Sequence, residues 1–192
     1  SRYVQMTAMP QLVAIFNAFG GAASAIVAMY ELMFQSGSSQ TIFVLASVCF
    51  ATIIGSVTFT GSFIAFGKLQ EVLTTKPILI PLRNFINIIL IVFVLVLAIL
   101  ICIPDMYDRN YLYALVAVSL ILGILIVIPI GGADMPVVVA LLNSYSGIAG
   151  AGAGFVLGNP VLIISGSLVG ASGLILTRIM TKAMNRSLLN VM

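Results

Sequence analysis

Six long apolar runs, separated by short polar segments, dominate the sequence. They cover residues 10–33, 41–66, 84–103, 112–130, 136–157 and 160–180. Because an apolar run of about 20 residues spans a bilayer as an α-helix, each run predicts one transmembrane helix. The pattern therefore predicts an all-α polytopic bundle of six transmembrane helices, with residues 1–192 forming a single transmembrane domain.

A very short connection separates the last two predicted helices. It reads LGNP at 157–160, where Asn159 can cap the first turn of the following helix and Pro160 suits the first helical position. These two helices are therefore predicted to form a tight antiparallel hairpin.

The composition is that of a membrane protein. Of the 192 residues, 61% are hydrophobic and 7% are charged, whereas the surface of a soluble domain needs about a quarter charged residues. The net charge of +3 does not require a nucleic-acid partner, and none is predicted. The chain begins SRYVQMTAMP, without an initiator methionine or a signal pattern, so we expect it to be part of a longer polypeptide.

Basic residues are distributed unequally between the two ends of the predicted bundle. Six crossings place both termini on one side, and the loops of that side contain Arg2, Lys68, Lys76, Arg83, Arg178, Lys182 and Arg186. The opposite side contains only Arg109. Because Lys and Arg concentrate on the cytoplasmic side, both termini are predicted to be cytoplasmic, or in the matrix if the membrane is mitochondrial.

Small and polar residues recur every three or four positions on helices one, five and six. Helix five has Asn143, Ser146, Gly147, Gly150 and Gly154; helix six has Gly166, Gly170 and Gly173; helix one has Asn17, Gly20, Gly21 and Ser24. This spacing predicts one stripe on each helix, and small residues let backbones approach closely. We therefore expect helices one, five and six to pack against one another, with helices three and four more exposed to lipid.

Two asparagines lie deep inside predicted membrane helices. An amide without a partner is costly in hydrocarbon, so Asn17 and Asn143 must be paired or hydrated. They either join two helices or line a water-holding path, a task that also suits Ser146, Ser56 and Thr60. Asparagine does not titrate near neutral pH, and the chain has no histidine. Any proton carrier is therefore a carboxylate, water or a side chain of a partner.

Asp134 lies at the start of the fifth predicted helix, between Gly131-Gly132 and Pro136. Its carboxylate either accepts hydrogen bonds from the first-turn amides or marks the place where a proton path reaches the aqueous side. The two roles are compatible.

Three further features have simple structural interpretations. The string GAGAGF at 150–155 lacks the GxGxxG spacing and continues a membrane helix, so close helix packing is predicted there and not a dinucleotide site. Cys49 and Cys102 are far apart in sequence and are predicted to be small lipid-facing or packing residues. The segment 68–83 is predicted to be a connector along the membrane surface, either inert or in contact with a soluble domain.

Four strings together resemble one protein family. They are MTAMPQLVAIFNAFGG at 6–21, VTFTGSFIAFGKLQ at 57–70, GGADMPVVVALLNSYSGIAGAGAGF at 131–155 and KAMNRSL at 182–188. In this order they resemble the membrane part of the β subunit of the proton-translocating nicotinamide nucleotide transhydrogenases. The similarity extends over nearly the whole chain.

The resemblance implies a pump in which a proton crosses the membrane while a hydride equivalent passes between NAD(H) and NADP(H) in soluble domains. This chain would then contain no catalytic, cofactor-binding or metal-binding residue, and its helices would be the last six of the subunit. The implied partners are the α subunit membrane helices, both nucleotide-binding domains and a second αβ unit in a dimer. The implied location is the bacterial cytoplasmic (inner) membrane, with the mitochondrial inner membrane as the alternative.

The resemblance also implies roles for individual residues. Asn143 and Ser146 match proton-pathway positions, and Asp134 matches an aspartate at the cytoplasmic end of the same helix. Arg186 matches an arginine between the membrane and the NADP(H) domain, and the helix-six glycines match positions that act in coupling. Some relatives have a histidine as proton carrier at the position of Asn17. We therefore expect the α subunit helices to supply a titratable residue that faces Asn17.

A membrane protein of another class remains an alternative. Secondary transporters and channels also use small-residue helices with amides near the midplane of the membrane. The residues that follow Met192 would discriminate the two, because a soluble α/β nucleotide domain supports a transhydrogenase and further membrane helices support a transporter.

Overall fold

The structure, a computed structural model, describes residues 8–34, 41–78, 81–103 and 108–185. Within these ranges the chain forms six long helices: α1 (Met9–Phe34), α2 (Ile42–Leu69), α3 (Arg83–Cys102), α4 (Arg109–Val127), α5 (Met135–Val156) and α6 (Pro160–Ala183). A short 3₁₀ turn, Gly132–Asp134, precedes α5. Each of the six helices is long and apolar enough to cross a membrane. The predicted all-α bundle of six transmembrane helices is therefore confirmed.

Helix α2 lies at the centre of the bundle and packs against α1, α3, α4 and α5. Its contact with α1 is made by the backbones. A Cβ atom added to Gly55 would lie 2.5 Å from the carbonyl oxygen of Gly21, and one added to Gly21 would lie 2.7 Å from the carbonyl oxygen of Gly55. Glycine at both positions therefore allows the two helices to touch.

Helix α5 packs against α1 and α6, as the small-residue stripes predict. However, α1 and α6 make no extended contact with each other. The predicted cluster of helices one, five and six is wrong in this respect, because the compact trio consists of α1, α2 and α5. Helix α2 takes this place because its buried surface is also rich in small residues, including Ala51, Gly55, Gly61 and Ala65.

Helices α3 and α6 form the periphery of the chain. Helix α3 has the highest mean hydropathy, 3.4, and only 17% of its most apolar window is buried, as predicted for a helix that faces lipid. Helix α6 is nearly as exposed, because only 22% of its most apolar window is buried, compared with 33% for α4. The prediction that helices three and four are more exposed than helices one, five and six therefore holds for α4 against α1 and α5 and is wrong against α6, because α4 packs on both α2 and α3 whereas α6 packs on α5 alone.

Consecutive helices run in opposite directions, so the starts of α1, α3 and α5 and the ends of α2, α4 and α6 lie at one end of the bundle. There the Gln11 Nε2 atom donates a hydrogen bond of 3.0 Å to the Leu69 carbonyl. We call it the basic end, because its described residues include Lys68, Lys76, Arg83, Arg178 and Lys182. In the part of the opposite end that the structure describes, the only basic residue is Arg109.

The connection between α5 and α6 is the tight hairpin that the sequence predicts. The Asn159 Oδ1 atom accepts hydrogen bonds from the amides of Val161 at 3.1 Å and Leu162 at 3.3 Å. Gly158 has a φ of +60°, a conformation that glycine adopts without strain. Asn159 and Pro160 therefore begin α6 as expected.

Both cysteines lie in the contact between α2 and α3. Cys49 is buried, and its thiol lies 3.9 Å from the carbonyl oxygen of Ala98, one turn before Cys102 on α3. Cys102 packs on the same apolar cluster. Both residues therefore pack in the bundle, which is one of the two predicted alternatives.

Candidate functional site

Asn17 joins α1 to the backbone of α5. Its side chain is 4% exposed, and its Nδ2 atom donates a hydrogen bond of 3.1 Å to the Val139 carbonyl. In a regular helix that carbonyl also accepts from the amide of Asn143, four residues later. Asn17 therefore lies against the turn of α5 that leads to Asn143.

Ser146 faces α1 one turn further along α5. A Cβ atom added to Gly20 would lie 2.7 Å from the Ser146 hydroxyl oxygen, so this side chain lies directly against α1. A Cβ atom added to Gly150 would approach the Ser24 hydroxyl, at 4.0 Å. The predicted polar stripes of α1 and α5 therefore meet.

Asn143 lies between the two contact faces of α5. Ser146 faces α1 and Gly147 faces α6, and at about 100° per residue Asn143 falls between these two directions. Pro136 and Gly150, seven residues before and after Asn143, lie on the same line. All three are half-buried. Since α1 and α6 make no extended contact, this line forms the floor of a groove between them, here called the α1–α6 groove.

One side of α6 forms a wall of this groove. A Cβ atom added to Gly147 would lie 2.9 Å from Cγ1 of Val169, whereas one added to Gly170 would lie 2.9 Å from Cγ1 of Ile148. Viewed along the axis of α5, Gly147 points closer to the direction of Asn143, and so to the groove floor, than Ile148 does. Val169 therefore lies on the groove side of α6 and Gly170 on the far side.

Two serines share the groove side of α6 with Val169. Ser165 and Ser172 lie four residues before and three residues after it, and both are exposed. A Cβ atom added to Gly173 would lie 2.8 Å from the Ser144 backbone, and because α5 and α6 are antiparallel this places Ser172 level with Tyr145, about 3 Å along the helix axis from Asn143. The groove therefore presents an amide and a hydroxyl within about one turn of each other.

The three glycines of α6 lie against α5, as predicted. Gly166, Gly170 and Gly173 are buried, and a Cβ atom added to Gly166 would lie 2.5 Å from the amide nitrogen of Ala151. The Ser144 hydroxyl, which is fully buried, donates a hydrogen bond of 2.6 Å to the Gly170 carbonyl. The α5–α6 contact is therefore close and contains a polar bond.

The single polar stripe predicted for helix five is in fact two. Ser146 faces α1 and Gly150 lies on the groove floor beside α1, whereas Gly147 and Gly154 face α6. The division arises because adjacent residues are about 100° apart on the helix, so spacings of three and four cannot keep every member on one line. Ser144, which the sequence analysis missed, lies three residues before Gly147 and belongs to the α6-facing stripe.

The GAGAGF segment lies inside α5 and supports close packing. A Cβ atom added to Gly152 would lie 3.2 Å from the Ala51 Cβ atom on α2, and one added to Gly154 would lie 2.7 Å from the Ile163 amide nitrogen on α6. The glycines therefore serve two helix contacts, which agrees with the predicted packing role.

Hydroxyl groups of α2 point in several directions. The Thr60 hydroxyl donates to the Leu120 carbonyl at 2.8 Å, so Thr60 faces α4 and does not join Asn143, contrary to expectation. Ser62, which the sequence analysis missed, is fully buried, and its hydroxyl has no hydrogen-bond partner among the described residues. It lies seven residues from Gly55, on the side of α2 that faces α1.

Asp134 ends the 3₁₀ turn at the basic end and is 9% exposed. Its side chain makes no capping hydrogen bond to the first-turn amides of α5. The capping role is therefore wrong, and the position at the mouth of a proton path stays a prediction. Arg186, the predicted coupling residue, lies outside the described residues.

Lys68 is a buried charge that the sequence analysis counts only as a loop residue. It is 1% exposed, and its Nζ atom donates hydrogen bonds to the carbonyls of Ile128 at 2.5 Å and Ile130 at 2.7 Å. Its apolar neighbours in the string AFGKL were the available signal. They indicate that the lysine continues the helix and does not begin a solvated loop.

Comparison with known sequences agrees with this geometry. The family described as "NAD(P) transhydrogenase beta subunit" matches residues 1–192. The NAD(P) transhydrogenase subunit beta of Rhodospirillum rubrum is 45% identical over 197 residues, which cover 100% of this chain and 42% of that protein. A second R. rubrum sequence of the same name gives the same values. The chain thus spans less than half the length of these relatives, and it belongs to the NAD(P) transhydrogenase beta subunit family.

Proposed function

We propose that residues 1–192 form a single transmembrane domain that conducts protons within a transhydrogenase complex. In the complex, a hydride equivalent passes between NAD(H) and NADP(H) bound in soluble domains, and its transfer is coupled to proton movement through this bundle. Membership of the beta subunit family supports this function and disfavours a secondary transporter or channel.

The half-buried position of Asn143 is the observation that carries the proposal. Near the middle of a membrane helix, an amide that faces hydrocarbon costs about 1–3 kcal/mol or more. Such a side chain is retained where it faces water or a polar partner. With Ser146 on one side and Ser172 within about one turn across the α1–α6 groove, Asn143 belongs to a polar surface that can hold water.

In this proposal Asn17 positions α5 and does not face the partner subunit. Its Nδ2 atom donates to the Val139 carbonyl and the residue is 4% exposed, so Asn17 offers little surface to a side chain of the α subunit. We place that side chain opposite Asn143 and Ser146 in the α1–α6 groove. An asparagine cannot carry the proton itself, so the α subunit residue supplies the titratable group.

The basic end is proposed to face the cytoplasm, or the matrix in a mitochondrion, because it has more Lys and Arg than the opposite end. Asp134 then lies at the cytoplasmic mouth of the path. Access alternates as the NADP(H) domain changes its nucleotide state, which Arg186 and the glycine contact of α6 transmit to the bundle. A bacterial inner membrane and a dimer of αβ units complete the proposed setting.

Replacement of Asn143 by leucine tests the proposed path. In the complete complex reconstituted in vesicles, Asn143→Leu is expected to lower proton pumping by at least about tenfold, which corresponds to about 1.4 kcal/mol. The reason is that a leucine of similar size offers no hydrogen bond to water. The measurement is the change of internal pH during NADPH oxidation by an NAD analogue.

Asn84→Leu is the matched control, because Asn84 is exposed at the start of α3, away from the groove. It is expected to pump normally. Normal pumping by Asn143→Leu would remove Asn143 from the path, and equal losses in both variants would point to a general effect of leucine on assembly.

A further inference from the structure

Lys68 is a buried cation at the basic end of the bundle. It is 1% exposed although it is the penultimate residue of α2. Burial of an ammonium group is costly unless its donors are satisfied. The Lys68 ammonium group donates two hydrogen bonds, to the carbonyls of Ile128 and Ile130.

The two carbonyls are well suited to bind a cation. Ile128 is the C-cap residue of α4, and Ile130 lies in the turn that follows. The carbonyl of Ile128 therefore lies at the negative end of the helix dipole, which favours a cation there. Lys68 therefore connects the end of α2 to the end of α4 through charge-assisted hydrogen bonds.

A second link holds the same turn from the other side. The Gly132 amide donates a hydrogen bond of 2.8 Å to the Thr75 carbonyl in the connector that follows α2. A Cβ atom added to Gly132 would lie 3.1 Å from Cβ of Thr75, and one added to Gly131 would lie 3.6 Å from Cγ of Pro77. The turn 128–134, which leads to Asp134, is thus bound twice to α2 and its connector.

An open cavity of about 340 Å³ adjoins this turn at the end of α2. Its lining residues are Lys68, Leu69, Glu71, Thr75, Gly132 and Ala133. The turn that leads to Asp134 is therefore bordered by open space on this side, and Lys68 is one of the groups that hold it.

We propose that Lys68 is a positioning residue for Asp134. It fixes the turn 128–134 on the end of α2, and thereby holds the Asp134 carboxylate at the start of α5. The effect on proton movement rests on the proposed function, whereas the effect on the turn does not.

The hydrogen bonds from Lys68 to the turn 128–134 are here called the clamp. Hydrogen exchange of the complete complex tests it directly. In Lys68→Met, which removes the donors but keeps the length of the side chain, amides of the segment 130–134 are expected to exchange at least about tenfold faster, because local opening no longer breaks the Lys68 bonds. Lys68→Arg, which keeps several donors, is expected to restore slow exchange. Lys76→Met is the matched control, because Lys76 is exposed on the connector, and it is expected to leave the segment unchanged.

A second measurement separates positioning from general stability. Proton pumping per hydride transferred is expected to fall in Lys68→Met, to recover in Lys68→Arg and to stay normal in Lys76→Met. If Lys68→Met fails to assemble, Lys68→Gln replaces it, with exchange expected between that of the lysine and a fully unclamped turn.

The outcomes distinguish this inference from the proposed function. Unchanged exchange in Lys68→Met or Lys68→Gln, or no rescue by Lys68→Arg, would overturn the clamp. Faster exchange with normal pumping would overturn the link between the clamp and proton movement. Normal pumping by Asn143→Leu would contradict the proposed path but would leave the exchange result intact.

Discussion

At the scale of the residue, the same amino acid serves different purposes in this bundle. Gly166 lies against the α5 backbone, where an added Cβ atom would be 2.5 Å from the Ala151 nitrogen and 2.6 Å from the Gly147 oxygen. Gly150 has free space, because the nearest atom to an added Cβ would be 4.0 Å away. The first glycine is required by packing, whereas the second leaves room beside the groove.

This difference predicts opposite effects for two alanine substitutions. Gly166→Ala is expected to lower the free energy of unfolding by about 2 kcal/mol, because α6 must move away from α5 to admit the methyl group. Gly150→Ala is the matched control and is expected to be neutral or slightly stabilising, since alanine has the higher helix propensity. Unfolding of the purified domain in a detergent titration gives both values, and equal values would contradict the contact.

At the scale of the element, the helices are predictable but some of their partners are not. The predicted fourth helix, 112–130, and the observed Arg109–Val127 differ by three residues at each end, and the others agree as well or better. The length of each apolar run predicts these boundaries, because the thickness of the bilayer sets the length of a membrane helix. In contrast, Asn17 binds a backbone carbonyl of α5, and every helical residue offers such a carbonyl. No sequence pattern indicates which one is chosen.

The burial of Lys68 and the central position of α2 escaped prediction for a related reason. Hydropathy describes one helix at a time, and small residues occur on α2 as well as on α1, α5 and α6. Which small-residue stripe meets which depends on the packing of all helices together. The stripe on α6, which has one neighbour, was the easiest to assign correctly.

The start of α6 gives a prediction at this scale. Asn159→Ala is expected to destabilise the domain by about 1 kcal/mol, because the amides of Val161 and Leu162 lose their acceptor. Asn159→Asp keeps an acceptor oxygen and is expected to restore the stability. The same detergent titration measures both variants, and an alanine variant as stable as the parent would show that this cap contributes nothing.

At the scale of the whole molecule, the α1–α6 groove is the surface where polar residues in the membrane most need a partner. Its floor contains the half-buried Asn143 and its α6 wall contains the exposed Ser172. The apolar surface of α3 needs only lipid, whereas polar groups inside a membrane need a hydrogen-bond partner. In the proposed complex, a membrane helix of the α subunit with a polar residue near its middle would meet this need.

Photo-cross-linking in the assembled complex tests which surface the α subunit covers. A benzophenone amino acid at Val169, on the groove side of α6, is expected to form a covalent adduct with an α subunit helix, detected by its mass. The same probe at Ile91 on α3 is the matched control, because the two side chains are equally exposed, 42% and 43%. Since α3 is expected to face lipid, Ile91 should give no such adduct. Adducts at Ile91 but not at Val169 would place the α subunit elsewhere and leave Asn143 without the partner that its position in the membrane requires.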